Sequence, residues 1–219
     1  MMTRCNERLT QTLPATVTDS IAPGDDVFVR CPSVADEESL ACAVLSTLGP
    51  PERTNVLSVA VTDSPLERRA VWDRHVERAP ARMAVVSVET DTRSPQSGVE
   101  PVQNERATQA RFGRVETVSS PTDLTELGLR ITEVLSEWRD DANDRRTVLC
   151  FHSLTALLQS VPVERLFKFV HVLANLPLTE DVTAHYHLDP TVHDEVTVRT
   201  LAELFDVVYE RGETWEVSR

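Results

Sequence analysis

Short, almost unbroken apolar runs punctuate this chain, and between them lie longer stretches whose apolar positions recur every three to four residues. The runs are residues 27–30 (VFVR), 55–61 (NVLSVAV), 82–89 (RMAVVSVE), 146–152 (RTVLCFH) and 181–188 (DVTAHYHL). Their length and β-branched content predict strands, and near-continuous apolarity predicts strands covered on both faces. The stretches between them predict helices over 36–48, 65–79, 121–141, 163–176 and 194–205. The clearest is 121–141, where Leu124, Leu127, Ile131, Val134, Leu135 and Trp138 form one stripe. Pro121 and the acids after it suit the first turn of that helix. Residues 114–118 predict a short strand, 154–160 a turn of helix that breaks before Pro162, and 206–217 a strand pair turning at Gly212.

Strands separated by helices in this way predict an α/β fold: a doubly wound, mostly parallel sheet with helices on both faces and a C-terminal strand pair. Residues 1–24 are polar and aperiodic and read as an N-terminal tail ending in the turn signal APGDD. Residues 25–219 read as a single domain. Within it, 90–113 form a long polar excursion whose composition favours disorder. The helix over 163–176 is apolar nearly all round, at Leu166, Phe167, Phe169, Val170, Val172 and Leu173. Such a helix is either sandwiched in a core or exposes a surface that meets a partner.

Composition then narrows the classes. The 219 residues suffice for one substantial core, and 41% apolar with 26% charged content fits a water-soluble globular chain. No run reaches the roughly 18 apolar residues a membrane span needs, and the first residues lack the continuous apolar segment of a secretory signal. Cytoplasmic localisation is the expectation. The formal charge is −13, from 35 acidic and 22 basic residues, and Lys168 is the only lysine. An acid excess with little lysine is the surface habit of proteins from high-salt cytoplasm, where the Debye length falls to about 3 Å at 1 M. An ordinary acidic protein is the plainer reading. Either way the mean field repels a phosphate backbone, so no nucleic-acid partner is expected. Cys5, Cys31, Cys42 and Cys150 show no close pairing of the C-x-x-C kind. Cys31, Cys42 and Cys150 lie in apolar runs and are expected to act as small core hydrophobes.

The segment VFVRCPSVADEESLACAVL, residues 27–45, has the strand–turn–helix layout of a phosphate-binding loop. The C-terminal half carries TVLCFHSLTALLQSVPVERLFKFVHVLANL, followed by AHYHLDPTVHDEVTVRTLAELFDVVYERG. In this order the chain resembles the RecA/KaiC-like ATPases of the P-loop superfamily, and more closely their degenerate relatives in salt-loving archaea. The resemblance implies a RecA-like sheet, a phosphate loop after the first strand, a magnesium aspartate after VLCF and a catalytic carboxylate after the second strand.

The residues at those positions depart from the pattern. The loop G-x-x-x-x-G-K-[ST] wraps phosphates with backbone N–H groups, reaches them with lysine and holds magnesium with its hydroxyl. Here Cys31 stands at the first glycine, Asp36 at the second, Glu37 at the lysine and Glu38 at the hydroxyl. A helix N-terminus attracts anions, and this chain sets its own acids there. Ser33 and Asp36 have the spacing of a capping box. Exchanging a lysine for Glu37 turns attraction into repulsion worth roughly 4 kcal/mol per charge pair at about 4 Å and an effective dielectric near 20, before screening. His152 stands at the magnesium aspartate, and imidazole is a poor ligand for Mg²⁺. Asp63 is either a remnant of the catalytic carboxylate or part of a plain helix start with Ser64 and Pro65. The expectation is a pseudo-ATPase with no bound cofactor, acting through a protein partner or as a homo-oligomer.

Three other readings compete. Arg30 and Arg53 supply positive charge for a nucleotide sensor with a rearranged loop. His185 and His187, two apart on a strand, share a face, and with His193 they compose the candidate site of a zinc-dependent enzyme. Ser153, His152 and Asp189 form a hydrolase triad only on paper, because no G-x-S-x-G elbow is present. Trp72, Trp138 and Trp215 read as core.

Overall fold

The computed structural model describes residues 20–33, 36–89, 113–140, 144–176 and 181–219. Residues 1–19 and 90–112, which hold Cys5 and nearly all of the expected tail and polar excursion, lie outside the described residues. The strands are β1 (Asp26–Arg30), β2 (Thr54–Ala60), β3 (Arg82–Val88), β4 (Gly113–Val118), β5 (Arg146–His152), β6 (Val182–Leu188), β7 (Val207–Arg211) and β8 (Trp215–Ser218). The helices are α1 (Asp36–Ser46), α2 (Pro65–His75), α3 (Leu124–Asp140), α4 (Leu154–Leu158), α5 (Val163–Ala174) and α6 (Glu195–Ala202). The sheet order is β4-β3-β2-β5-β6-β1-β7-β8, with every neighbouring pair parallel except β7–β8. This is the doubly wound, mostly parallel α/β class with a C-terminal strand pair.

Local chemistry explains the element starts. Ala22-Pro23-Gly24-Asp25 turns the chain into β1, with Asp25 N–H donating to Ala22 O at 3.2 Å and Gly24 at φ +87°. Proline second and a positive-φ glycine third are the requirements of a type II turn. Ser64 caps α2 in a reciprocal capping box: its hydroxyl accepts from Glu67 N–H, and the Glu67 carboxylate accepts from Ser64 N–H. Asp194 caps α6 by accepting from Thr197 N–H. Helix α2 stops at His75, short of the expected Ala79. The Trp72 indole donates to Arg78 O at 2.9 Å, fixing the chain in a return toward β3.

Alternation along the strands divides the core. Phe28, Leu57, Val59, Leu149, Phe151, Ala184, Tyr186 and Leu188 face α3, α4, α5 and α6 in one large apolar cluster. The α3 stripe enters it whole, as its periodicity predicts, and each such buried aliphatic side chain stabilises by roughly 1.5–3 kcal/mol. Helix α5 is not apolar all round in its packing: Leu166, Val170 and Leu173 are buried, whereas Val172 is 59% exposed. The opposite sheet face, under α1 and α2, has two separate clusters. One joins Val27, Val29, Ala41, Leu45, Val207 and Tyr209; the other joins Ala43, Val56, Ala60, Trp72, Met83 and Val85. The gap between them falls on β5 and β6, and it is polar.

Candidate functional site

Two rows of side chains cross the sheet under α1. In the first, Ser58 of β2 stands beside Cys150 of β5, which stands beside His185 of β6. Two residues further along the strands, toward their C-terminal ends, His152 of β5 and His187 of β6 occupy the same face, because side chains repeat with period two. Above them α1 lowers Glu38, Cys42 and Ser46, spaced by four and therefore stacked along one helix face. Helix α2 adds Arg68, 4% exposed, whose partners come from α1, β5 and the β2–α2 turn.

The contacts run as a chain. Cys42 Sγ and Cys150 Sγ lie 2.8 Å apart. Arg68 donates through Nη2 to Cys42 Sγ at 2.8 Å and reaches Cys150 Sγ at 3.8 Å, while its Nη1 donates to Asp63 Oδ2 at 3.0 Å. His185 Nδ1 and His187 Nε2 face each other at 2.8 Å, and His185 Nε2 meets Ser46 Oγ at 3.1 Å. His187 Nδ1 is 3.9 Å from Glu38 Oε1, and Glu38 Oε1 is 3.1 Å from His152 Nε2. His152 Nδ1 lies 3.4 Å from Asp63 Oδ2, an ion-pair distance without hydrogen-bond alignment. Cys42, Cys150, His185 and His187 are all buried, and their donor atoms lie within 4.8 Å of one another.

Electrostatics set the protonation. The hydrogen bond from Cys150 holds the Cys42 thiol well below its ordinary range against the opposing effect of burial, with the Arg68 charge and His187 adding to it. Burial pushes Cys150 up, and the charge on Cys42 pushes it further. Both directions favour the charge on Cys42, the sulfur that Arg68 approaches more closely. Burial alone would lower the Arg68 guanidinium, but the sulfur charges and Asp63 hold it above its usual range. Burial brings His185 down to about 3, so its imidazole is neutral.

The positions singled out in the sequence distribute unevenly around this network. Glu38 is not a solvent-facing acid of the first turn; it is 5% exposed and bonded to His152. Asp36 opens α1, but its side chain and that of Glu37 lie outside the described residues, as do residues 34–35 of the turn. Cys31 is buried in the apolar cluster under α1, the core role expected of it. Cys42 and Cys150 are buried too, yet in polar company. Asp63 does more than start a helix: Ser64 takes the cap, leaving Asp63 to Arg68 and His152. His193 is outside the four-residue donor cluster, because the chain leaves β6 at Leu188 and turns away through Pro190–Val192. Ser153 caps α4, and Asp189 accepts from Ser33 N–H at 2.8 Å and from Thr191, so the paper triad is not assembled. Those bonds hold the Asp189 carboxyl low even though burial opposes them. Arg53 lies at the N-terminal end of β2, opposite the crevice, bonded to Asp144; Arg30 pairs with Glu210 at 3.0 Å.

Sequence reasoning missed Arg68, Ser46 and Ser58 altogether. The available signal was polar residues in strict register: Glu38, Cys42 and Ser46 every fourth residue, with Cys150-x-His152 and His185-x-His187 every second.

A family model described as a family of unknown function (DUF7504) matches residues 24–210. Among curated proteins, none matches this chain. A Pyrococcus horikoshii OT3 protein from a structural project is 13% identical with a TM-score of 0.55, covering 96% of this chain and 90% of that one. An uncharacterised Pyrococcus horikoshii protein in complex with an unknown peptide is 12% identical with a TM-score of 0.58, covering 96% and 86%. These two share the fold. The ATPase EscN of the enteropathogenic E. coli type III secretion system is 14% identical with a TM-score of 0.47, covering 85% of this chain and 42% of that one. Among the described residues no helix is long and apolar enough to cross a membrane.

Proposed function

Since the chain belongs to DUF7504, a family of unknown function, its task must be read from its own residues, and we propose a non-catalytic relative of the RecA/KaiC-like ATPases that acts by contact. On this reading it is a regulatory or scaffolding protein that binds a protein partner or further copies of itself, in a cytoplasm of high salt suited to its −13 charge. One observation carries the proposal: the residues standing at the magnesium and catalytic positions are set against one another. Glu38 at the hydroxyl position joins His152 at the magnesium-aspartate position at 3.1 Å, and His152 lies 3.4 Å from Asp63 at the catalytic-carboxylate position. Arg68 closes the chain on Asp63. Groups that would bind magnesium and orient water in an intact enzyme are here engaged with one another. Asp189 adds to this by taking the Ser33 N–H of the loop itself, the kind of donor a phosphate would need.

Contact surfaces are at hand on the other face. A groove of about 460 Å³ between α3 and α5 is lined by Leu124, Gly128, Phe169, Val172 and Leu176, with Arg165 and Lys168 among its polar members. An apolar groove rimmed by cations is a surface suited to a protein partner.

The test is titration of the purified chain with ATP and Mg²⁺ in about 1 M KCl, followed calorimetrically, with phosphate release measured in parallel. The expected result is no saturation in the micromolar range and no turnover. Micromolar affinity or hydrolysis abolished by substituting Asp63 would overturn the proposal and favour a working or sensing nucleotide site.

A further inference from the structure

The polar gap in the core under α1 has the composition of a metal centre, and we propose that Cys42, Cys150, His185 and His187 bind one zinc ion in a closed, structural site. Four independent features converge. The donor set is two sulfurs and two imidazole nitrogens, the borderline-soft combination that suits Zn²⁺ and excludes magnesium or calcium as the preferred ion. All four side chains are buried, at 4%, 1%, 0% and 0% exposure, with donor atoms within 4.8 Å of one another. They come from three rigid elements, α1, β5 and β6, with Cys150 and His185 in direct register. And with His185 Nδ1 and His187 Nε2 as the nitrogen donors, the outer ring nitrogens already face oxygen. His185 Nε2 meets Ser46 Oγ at 3.1 Å, and His187 Nδ1 looks toward Glu38 Oε1 at 3.9 Å with no hydrogen-bond partner of its own. Metal-ligating histidines characteristically present their second nitrogen to such an oxygen.

Charge and geometry agree with the ion. Zinc with two thiolates is neutral, and the Asp63 carboxylate beside it remains to pair with Arg68. Zinc–sulfur bonds of about 2.3 Å in a tetrahedron place the sulfurs about 3.8 Å apart. The present separation is 2.8 Å, so the two sulfurs move apart by about 1 Å when the ion enters. Four protein ligands leave no position for water, so the site holds α1 to the sheet and performs no hydrolysis. The ligand set differs from the histidine trio read in the sequence: Cys42 and Cys150 enter, and His193 does not. It stands apart from the crevice reading, since zinc content and nucleotide affinity are measured separately.

The full-length chain, purified under reducing conditions without chelator, is assayed for metal by mass spectrometry, then stripped and titrated with Zn²⁺ against a chromogenic chelator. Cobalt substitution reports the ligands directly, through thiolate-to-metal charge transfer and tetrahedral ligand-field absorption. The expected result is about one zinc per chain, lost in Cys42→Ser and in His187→Ala, retained in His193→Ala, and held about 10-fold more weakly in Ser46→Ala. Should the two ligand variants fail to fold, the cobalt spectrum of the unsubstituted chain still decides. Absence of zinc with no uptake on titration, a cobalt spectrum without thiolate charge transfer, a Cys42–Cys150 disulfide in place of metal, or zinc lost in His193→Ala would each overturn the assignment.

Discussion

Asp26 offers the sharpest quantitative check on the electrostatics of this fold. It opens β1 and is pressed into the sheet, where burial first, then the Asp206 and Asp25 charges, push its carboxyl up to about 7 from 3.8, against a hydrogen bond from Tyr186 that lowers it. Its backbone N–H donates to Asp206 Oδ2 at 2.9 Å, so the two carboxylates are held close whether or not they repel. The sign follows from linkage. Below pH 4 the group is protonated in both folded and unfolded chains and has no effect. Between about 4 and 7 the unfolded chain releases this proton and the folded chain keeps it, so stability falls as pH rises, and above about 7 the effect is constant. Each pH unit is worth at most about 1.4 kcal/mol, so the interval from pH 5 to the folded-state value near 7 costs up to about 2.7 kcal/mol. Asp26→Asn removes the charge and keeps an oxygen for the Tyr186 hydroxyl. Urea unfolding of both chains at pH 5, 6, 7 and 8 in constant molar KCl gives the difference between them. The stability of the variant relative to the parent should rise by about 2 kcal/mol between pH 5 and pH 8. A difference that is flat with pH, or that grows as pH falls, would refute the argument.

Two further outcomes test the packing around the site and away from it. Arg68→Met removes a 4%-exposed cation and leaves Asp63 and the sulfur pair uncompensated; the expected loss is about 3–5 kcal/mol by denaturant unfolding, with Arg68→Lys falling between because an ammonium cannot fork to both partners. Leu166→Ala empties a fully buried position of α5 in the large cluster and should cost about 2–5 kcal/mol, leaving zinc content unchanged.

How much of this protein was legible in the chain depends on the range of the interaction concerned. Strands β2, β5 and β6 could be placed within a residue or so because apolarity repeats locally along them, and the α3 stripe named its six buried residues in advance. Capping chemistry was local too, and Ser64-Pro65 marked the start of α2. The fate of Asp63 was not local. Its choice between helix start and site residue was settled by Arg68 and by His152, 89 residues away along the chain and adjacent only because β2 and β5 are neighbours in the sheet. Helix α5 shows the same limit from the other side: its sequence is apolar almost all round, but the sheet buries only one face of it.

By itself, then, the sequence determined the kind and order of the elements, the parallel character of the sheet and the absence of glycine and lysine from the turn after β1, since these follow from period, propensity and residue identity at neighbouring positions. Only tertiary structure decided that Cys42, Arg68, Cys150, His185 and His187 meet. Periodicity states that a side chain shares a face with its second or fourth neighbour, but it cannot state which elements cover that face. The strand order that sets β5 beside β6, and the packing of α1 across both, turned five scattered polar residues into one buried cluster.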